Sequence, residues 1–208
     1  MSTALHFPPE PFAPWAEIVP GAPYPMTIQD LLDWPDDDGY RYELVEGVLV
    51  RMAGSGFDAT TLGLELGAEL RNYVRPRRLG RVTGADGVYK FSGAETGLLP
   101  DVGFIEAAKV ALIADRRRPI PFAPDLAVEV ASPEQKPDDM AAKARTYLDG
   151  GTRLVWIVWP EREQVDVWRA GRTVGPVVAL SGSDTLDGED VVPGYSYPVA
   201  SVFADPLA

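Results

Sequence analysis

Glu129 stands inside LAVEVA, an almost continuous apolar, valine-rich run of the kind that forms a strand covered on both faces. An ionised carboxylate left alone in such a strand costs several kcal/mol or takes up a proton, so something must compensate it. A lysine or arginine partner would do so with no chemical role. Asp101 adds a second carboxylate: it follows Pro100 at the front of its own Val-Gly-Phe-Ile run, so two acidic groups can project from neighbouring strands toward one point. Like charges held close need a cation between them, and Mg²⁺ takes oxygen ligands while keeping several waters. The chain has no cysteine, and its one histidine, His6, lies in a proline-rich leader. Disulfides, thiolate metal sites, zinc on imidazoles and a histidine base are set aside, and acid chemistry falls to carboxylates.

The elements that must position these groups follow from spacing and punctuation. Thr27 offers a cap oxygen ahead of IQDLLDW, which Pro35 closes, and YRYELVEGVLVRM alternates as two short strands turning near Glu46-Gly47. From Phe57 to Val74 apolar residues recur at Leu62, Leu66, Leu70 and Val74, which predicts a helix with one inward stripe, ended by Pro76. RVTGADGVYKF and DVGFI read as strands separated by the SGAETGLLP loop, and EAAKVALIADRR as a helix or helical turn. PDDMAAKARTYLDGG has proline and aspartates at its start and glycines at its finish, the polarity of a helix. RLVWIVWP reads as a buried strand, and EQVDVWRA, TVGPVVAL and GYSYPVASVF as a closing antiparallel region.

With 208 residues, 46% of them hydrophobic, the chain suffices for one sizeable core. Residues 1–25, with seven prolines, are expected to form an extended arm packed on a neighbour, and residues 26–208 a single domain. No apolar run reaches the roughly 20 residues needed to span a bilayer, and the first residues lack a signal pattern, so a cytoplasmic, membrane-free protein is expected. The formal charge of −12 opposes binding to phosphate backbones at long range. Arg75, Arg77, Arg78 and Arg81, with Arg116, Arg117 and Arg118, form the only concentrated positive charge; phosphate contacts and solvated helix ends are both open readings. Trp156, Trp159 and Trp168 in valine-rich strands are read as core rather than as base-stacking platforms.

The blocks YELVEG, LLPDVGF, PDLAVEVASP and KARTYLDGGTRLVWIVWP, in this order from about Thr27 to Arg169, resemble the Uma2 family (DUF820) of the PD-(D/E)XK nuclease superfamily. That resemblance implies an α/β fold with a restriction-endonuclease-like core, a mixed central β-sheet flanked by helices. It also implies a metal-dependent endonuclease acting on DNA, with Mg²⁺, or Mn²⁺ in its place, held by Asp101, Glu129 and the carbonyl of Val130. The superfamily's usual lysine position, two residues after the strand glutamate, holds Ala131 here, and the resemblance gives that role to Lys143 on the following helix. Spacing alone also allows Lys143 an ordinary helical ion pair with Asp139. Glu43 and Glu46 match the family's early acidic block; Glu43 is preferred because it alternates with Tyr42 and Leu44, although alternation leaves the inward face open. A homodimer is expected. Family members often carry a histidine where this chain has Phe57 and Asp58, and an aspartate where it has Trp159. These departures keep open an inactive nuclease-fold module used for dimerisation or interaction; a second rival is a carboxylate hydrolase acting on small phosphate esters or sugars, with Glu129 as general acid.

Overall fold

Two large sheets and a two-stranded one arise from the alternating segments, and the interior shared by the large sheets holds the acidic strand residues. The computed structural model describes residues 12–35, 38–93, 95–171, 175–176 and 178–204. His6, Pro8, Pro9 and Pro11 of the leader, and Thr173, Val174 and Val177 of the TVGPVVAL run, lie outside the described residues. The elements are β1 (Glu17–Ile18), α1 (Ile28–Leu32), β2 (Tyr40–Val45), β3 (Val48–Ala53), α2 (Phe57–Arg77), β4 (Gly80–Thr83), β5 (Tyr89–Lys90), β6 (Gly97–Leu98), β7 (Val102–Glu106), α3 (Ala107–Val110), β8 (Leu126–Val130), α4 (Pro137–Asp149), β9 (Leu154–Trp159), β10 (Gln164–Arg169), β11 (Val178–Ser181), β12 (Thr185–Asp187), β13 (Ser196–Pro198) and α5 (Val199–Val202).

The central sheet runs β11-β10-β9-β8-β7-β4 and is mixed: β8 and β9 pair in parallel, its other pairs antiparallel. A parallel pair needs a crossover, and α4 supplies it. A second sheet runs β1-β3-β2-β6-β5, and β12 and β13 form the two-stranded one. Val102, Phe104, Val128, Val130 and Trp156 pack with Leu66, Leu70 and Val74 of α2 on one face of the central sheet. Ile105, Ala127, Ala131, Ile157 and Trp159 turn to the other face, against Met140, Ala144 and Tyr147 of α4 and Val45 and Val50 of the second sheet. Trp156, Trp159 and Trp168 are all buried in these cores, the reading their sequence context favoured.

Val45 pairs with Val48, and Glu46 and Gly47 between them both have positive φ (49° and 78°), the two-residue turn whose twist suits a hairpin. Thr27 caps α1 as expected: its hydroxyl accepts from the Asp30 N–H while the Asp30 carboxylate accepts from the Thr27 N–H. Several expectations shift. Pro76 does not end α2 but sits in its last turn, where only one donor is lost, and the helix stops at Arg78 in the left-handed region. RVTGADGVYKF divides into β4 and β5, which belong to different sheets. The described part of the proline-rich segment folds onto its own chain: Ala13 and Trp15 are buried, and Glu17–Ile18 pair with Arg51 and Val50.

Gly80 opens β4 where α2 turns back onto the sheet. A Cβ there would lie 1.9 Å from the Ile105 carbonyl oxygen and 2.8 Å from the Phe104 ring, and backbone cannot swing aside. Gly80→Ala is expected to lower stability by about 1–3 kcal/mol, measured as a reduced urea midpoint with unchanged m-value.

Candidate active site

The β7–β8 register ends at the pair Val102–Val128, and Asp101 stands just before β7, next to Gly63 of α2 and to the end of β8. Asp101 and Glu129 are close enough for the charge of the one to raise the other. Asp101 Oδ2 accepts the Val130 N–H at 2.8 Å, and Oδ1 accepts Arg41 Nη1 at 3.0 Å. In an extended strand the N–H and C=O of one residue point to the same edge, so the Val130 carbonyl also faces the Asp101 side. Arg41 is held in turn by the carbonyls of Ala85 and Leu99.

On α4 the residues Met140, Lys143, Ala144 and Tyr147 recur at helical spacing and form the buried stripe. Lys143 Nζ lies 3.0 Å from Glu129 Oε1 and 3.3 Å from Glu43 Oε1. The Tyr147 hydroxyl donates to the same Glu129 Oε1 at 2.6 Å. Glu43 is fully buried on β2 and accepts the Leu99 N–H at 2.9 Å, whereas Glu46 is exposed in the hairpin turn. The face left open by alternation is therefore settled for Glu43. Lys143, 2% exposed, spends its charge on the two glutamates, and the surface pair with Asp139 is not formed. Ala131 packs in the core on the Glu129 face, and the amine reaches that space from the helix.

Three carboxylates, Asp101, Glu129 and Glu43, thus share two cations, Arg41 and Lys143. Burial pushes Glu129 up to about 7, with Asp101 and Glu43 adding to the rise and Lys143 and Tyr147 opposing it. Burial alone would lower Lys143, but Glu129, Glu43 and Asp101 outweigh it, so the group stays an ammonium. Burial raises the Tyr147 hydroxyl far above its usual range and keeps it a donor. Glu43 Oε2 is buried without a hydrogen-bond partner. Such a site carries one negative charge too many, which a proton on Glu129 or a cation would relieve.

Among the described residues no three acidic or imidazole side chains lie close enough to cage a metal by themselves. Mg²⁺ asks for less: one or two carboxylates completed by waters. Asp101, Glu129 and the Val130 carbonyl match that donor set, and Glu129 Oε2 has no protein donor among the described residues. Access is from a cleft of about 660 Å³ lined by Arg41, Gly63, Arg71, Thr83, Asp101 and Val102. Asp101 and Arg41 face it, while Glu129, Lys143 and Glu43 lie behind them.

Arg41 and Tyr147 were not among the sequence candidates, yet each had a signal. Arg41 stands two residues before Glu43 on an alternating strand and shares its face, and Tyr147 stands one helical turn after Lys143.

A mixed sheet flanked by helices, with an aspartate at the head of one strand, a glutamate on the next and a lysine reaching them from the crossover helix, defines a nuclease-like α/β protein of the restriction-endonuclease-like class. A solved structure described as "a putative nuclease belonging to DUF820", from Anabaena variabilis ATCC 29413, shares this fold with a TM-score of 0.71 at 17% identity, covering 86% of this chain and 98% of that one. The chain belongs to the Uma2 family, whose model, described as "Putative restriction endonuclease", matches residues 28–200. No curated protein matches the sequence. Among the described residues no helix is long and apolar enough to cross a membrane.

Proposed function

We propose that this protein is a Mg²⁺-dependent endonuclease that hydrolyses DNA phosphodiester bonds, with Mn²⁺ able to substitute. The observation that carries the reading is the Glu43–Lys143–Glu129 network set directly behind Asp101 at an open cleft. Asp101, Glu129 and the Val130 carbonyl would hold the ion, which when bound supplies Lewis-acid stabilisation of phosphate charge and an easily deprotonated water. Arg41 fixes one oxygen of Asp101. Lys143 and Tyr147 fix Oε1 of Glu129 and leave Oε2 for the ligand side, so the amine acts by positioning Glu129 and, through it, the attacking water. Lys143 is a poor base while three carboxylates hold its proton. A duplex has two strands to cut, and a homodimer presenting two such sites is part of the proposal.

Supercoiled plasmid incubated with the protein and Mg²⁺ or Mn²⁺ over a range of salt is expected to become nicked and linear, with a chelator or Asp101→Ala abolishing the change. Intact plasmid under every one of these conditions would overturn the reading. Hydrolysis of small phosphate esters or glycosides that survives the chelator would instead favour the carboxylate hydrolase.

A further inference from the structure

We infer that one face of α2, continued over the outer edge of β4, is a track for the sugar-phosphate backbone of duplex DNA leading into the Asp101 cleft. The inference rests on the nuclease reading of that cleft and adds the path by which substrate reaches it.

Arg71 lines the cleft and also an adjoining groove of about 240 Å³ shared with Arg75 and Arg81. Arg75, Gly80 and Arg81 then pass into a third groove of about 360 Å³, where Arg78 joins them. The three depressions therefore run on from one another, each sharing residues with the next. Arg71 and Arg75 fall four residues apart, which sets them on one side of α2, and Arg78 is the left-handed residue that caps it. From Arg71 to the end of α2 at Arg77 the helix rises about 9 Å. Each strand of a duplex advances about 3.4 Å per phosphate along its axis, so the row matches about three successive phosphates. Beside it, β4 is the last strand of the central sheet, and among the described residues its outer edge carries no strand partner.

Pairing sets these arginines apart from five others. Arg41, Arg51, Arg117, Arg153 and Arg169 each form an ion pair with a carboxylate. Arg71, Arg75, Arg78 and Arg81 are exposed, and among the described residues none forms one. In a chain of net charge −12 with acids to spare, four neighbouring cations without acidic partners are a surface that repels itself until an anion meets it. Arg77 belongs to the same sequence cluster but turns elsewhere: its guanidinium lies 3.9 Å from the Tyr73 ring centroid and donates to the Tyr73 carbonyl. Arg118 is likewise engaged, by Gln29.

The test is fluorescence anisotropy of a labelled duplex binding to the full chain in chelator, so that binding is read apart from cleavage, over a series of salt concentrations. The triple variant Arg71→Ala, Arg75→Ala, Arg81→Ala is expected to bind about tenfold or more weakly and to lower the slope of log K against log salt by about 2–3. Arg77→Ala and Arg117→Ala are expected to match wild type in both. The changed side chains are exposed, and a melting temperature equal to wild type confirms that the triple variant is folded. An unchanged slope, an equal loss in the two control variants, tighter binding of single-stranded DNA, or displacement of the duplex by polyglutamate as readily as by unlabelled duplex would each overturn the track. Asp101→Asn should keep duplex binding while losing cleavage, so a failed nuclease reading and a failed track give different results.

Discussion

Lys143→Met is expected to lower the unfolding free energy by about 3–5 kcal/mol, because it leaves two buried carboxylates without their shared cation. Glu43 keeps only the Leu99 N–H, and Glu129 keeps only the Tyr147 hydroxyl. Cleavage is expected to fall by at least about 10²–10⁴-fold, the range that a misplaced proton-handling group costs. Stability and activity can then be separated. The double variant Glu129→Gln, Lys143→Met removes one orphaned charge together with its partner and is expected to recover much of the lost stability but none of the activity. Urea titrations of wild type, both single variants and the double variant supply the cycle. A single-variant cost under about 1 kcal/mol would mean that Lys143 does not bridge the glutamates.

Glu129→Gln is expected to move stability and activity in opposite directions. In the metal-free protein the Glu129 carboxyl is raised from its ordinary 4.5 to about 7, so the native state holds a proton that the unfolded chain releases. Stability from this group is therefore fully present below about pH 4.5, is lost as pH rises to about 7, and is flat beyond. The amide cannot lose that proton. Above pH 7 the variant should exceed wild type by about 1–3 kcal/mol, and the difference between the two curves should shrink toward pH 4.5. Cleavage should fall about 10²–10³-fold with the loss of a charged ligand to the ion that would stabilise the developing phosphate charge. Both are read in one series: thermal melts in chelator from pH 4.5 to 8, and plasmid cleavage at pH 8. A variant less stable than wild type at pH 8 would contradict the burial cost assigned to Glu129.

Much of this was visible in the chain before any coordinates. The α2 stripe through Leu66, Leu70 and Val74 is buried as its spacing required, and the glutamate in LAVEVA was conspicuous because charge is expensive in a strand covered on both sides. Lys143 came from family resemblance rather than spacing, since a lysine four residues after an aspartate looks like any solvated pair until α4 is docked. Other features depend on where distant segments meet. Arg41 finds Asp101 across 60 residues and between two sheets, a partnership with no local trace. The split of RVTGADGVYKF between sheets reflects which edges were vacant, and the division of Arg75 from Arg77 reflects helical rotation that a run of basic letters conceals.

The ammonium of Lys143 joins β2 of one sheet to β8 of the other from the helix that crosses between them. During synthesis Glu43, Asp101 and Glu129 all leave the ribosome before this lysine does, and of the two cations that they share only Arg41 precedes them. On the proposed function, a copy truncated before α4 would lack hydrolytic activity along with the residue that completes its interior.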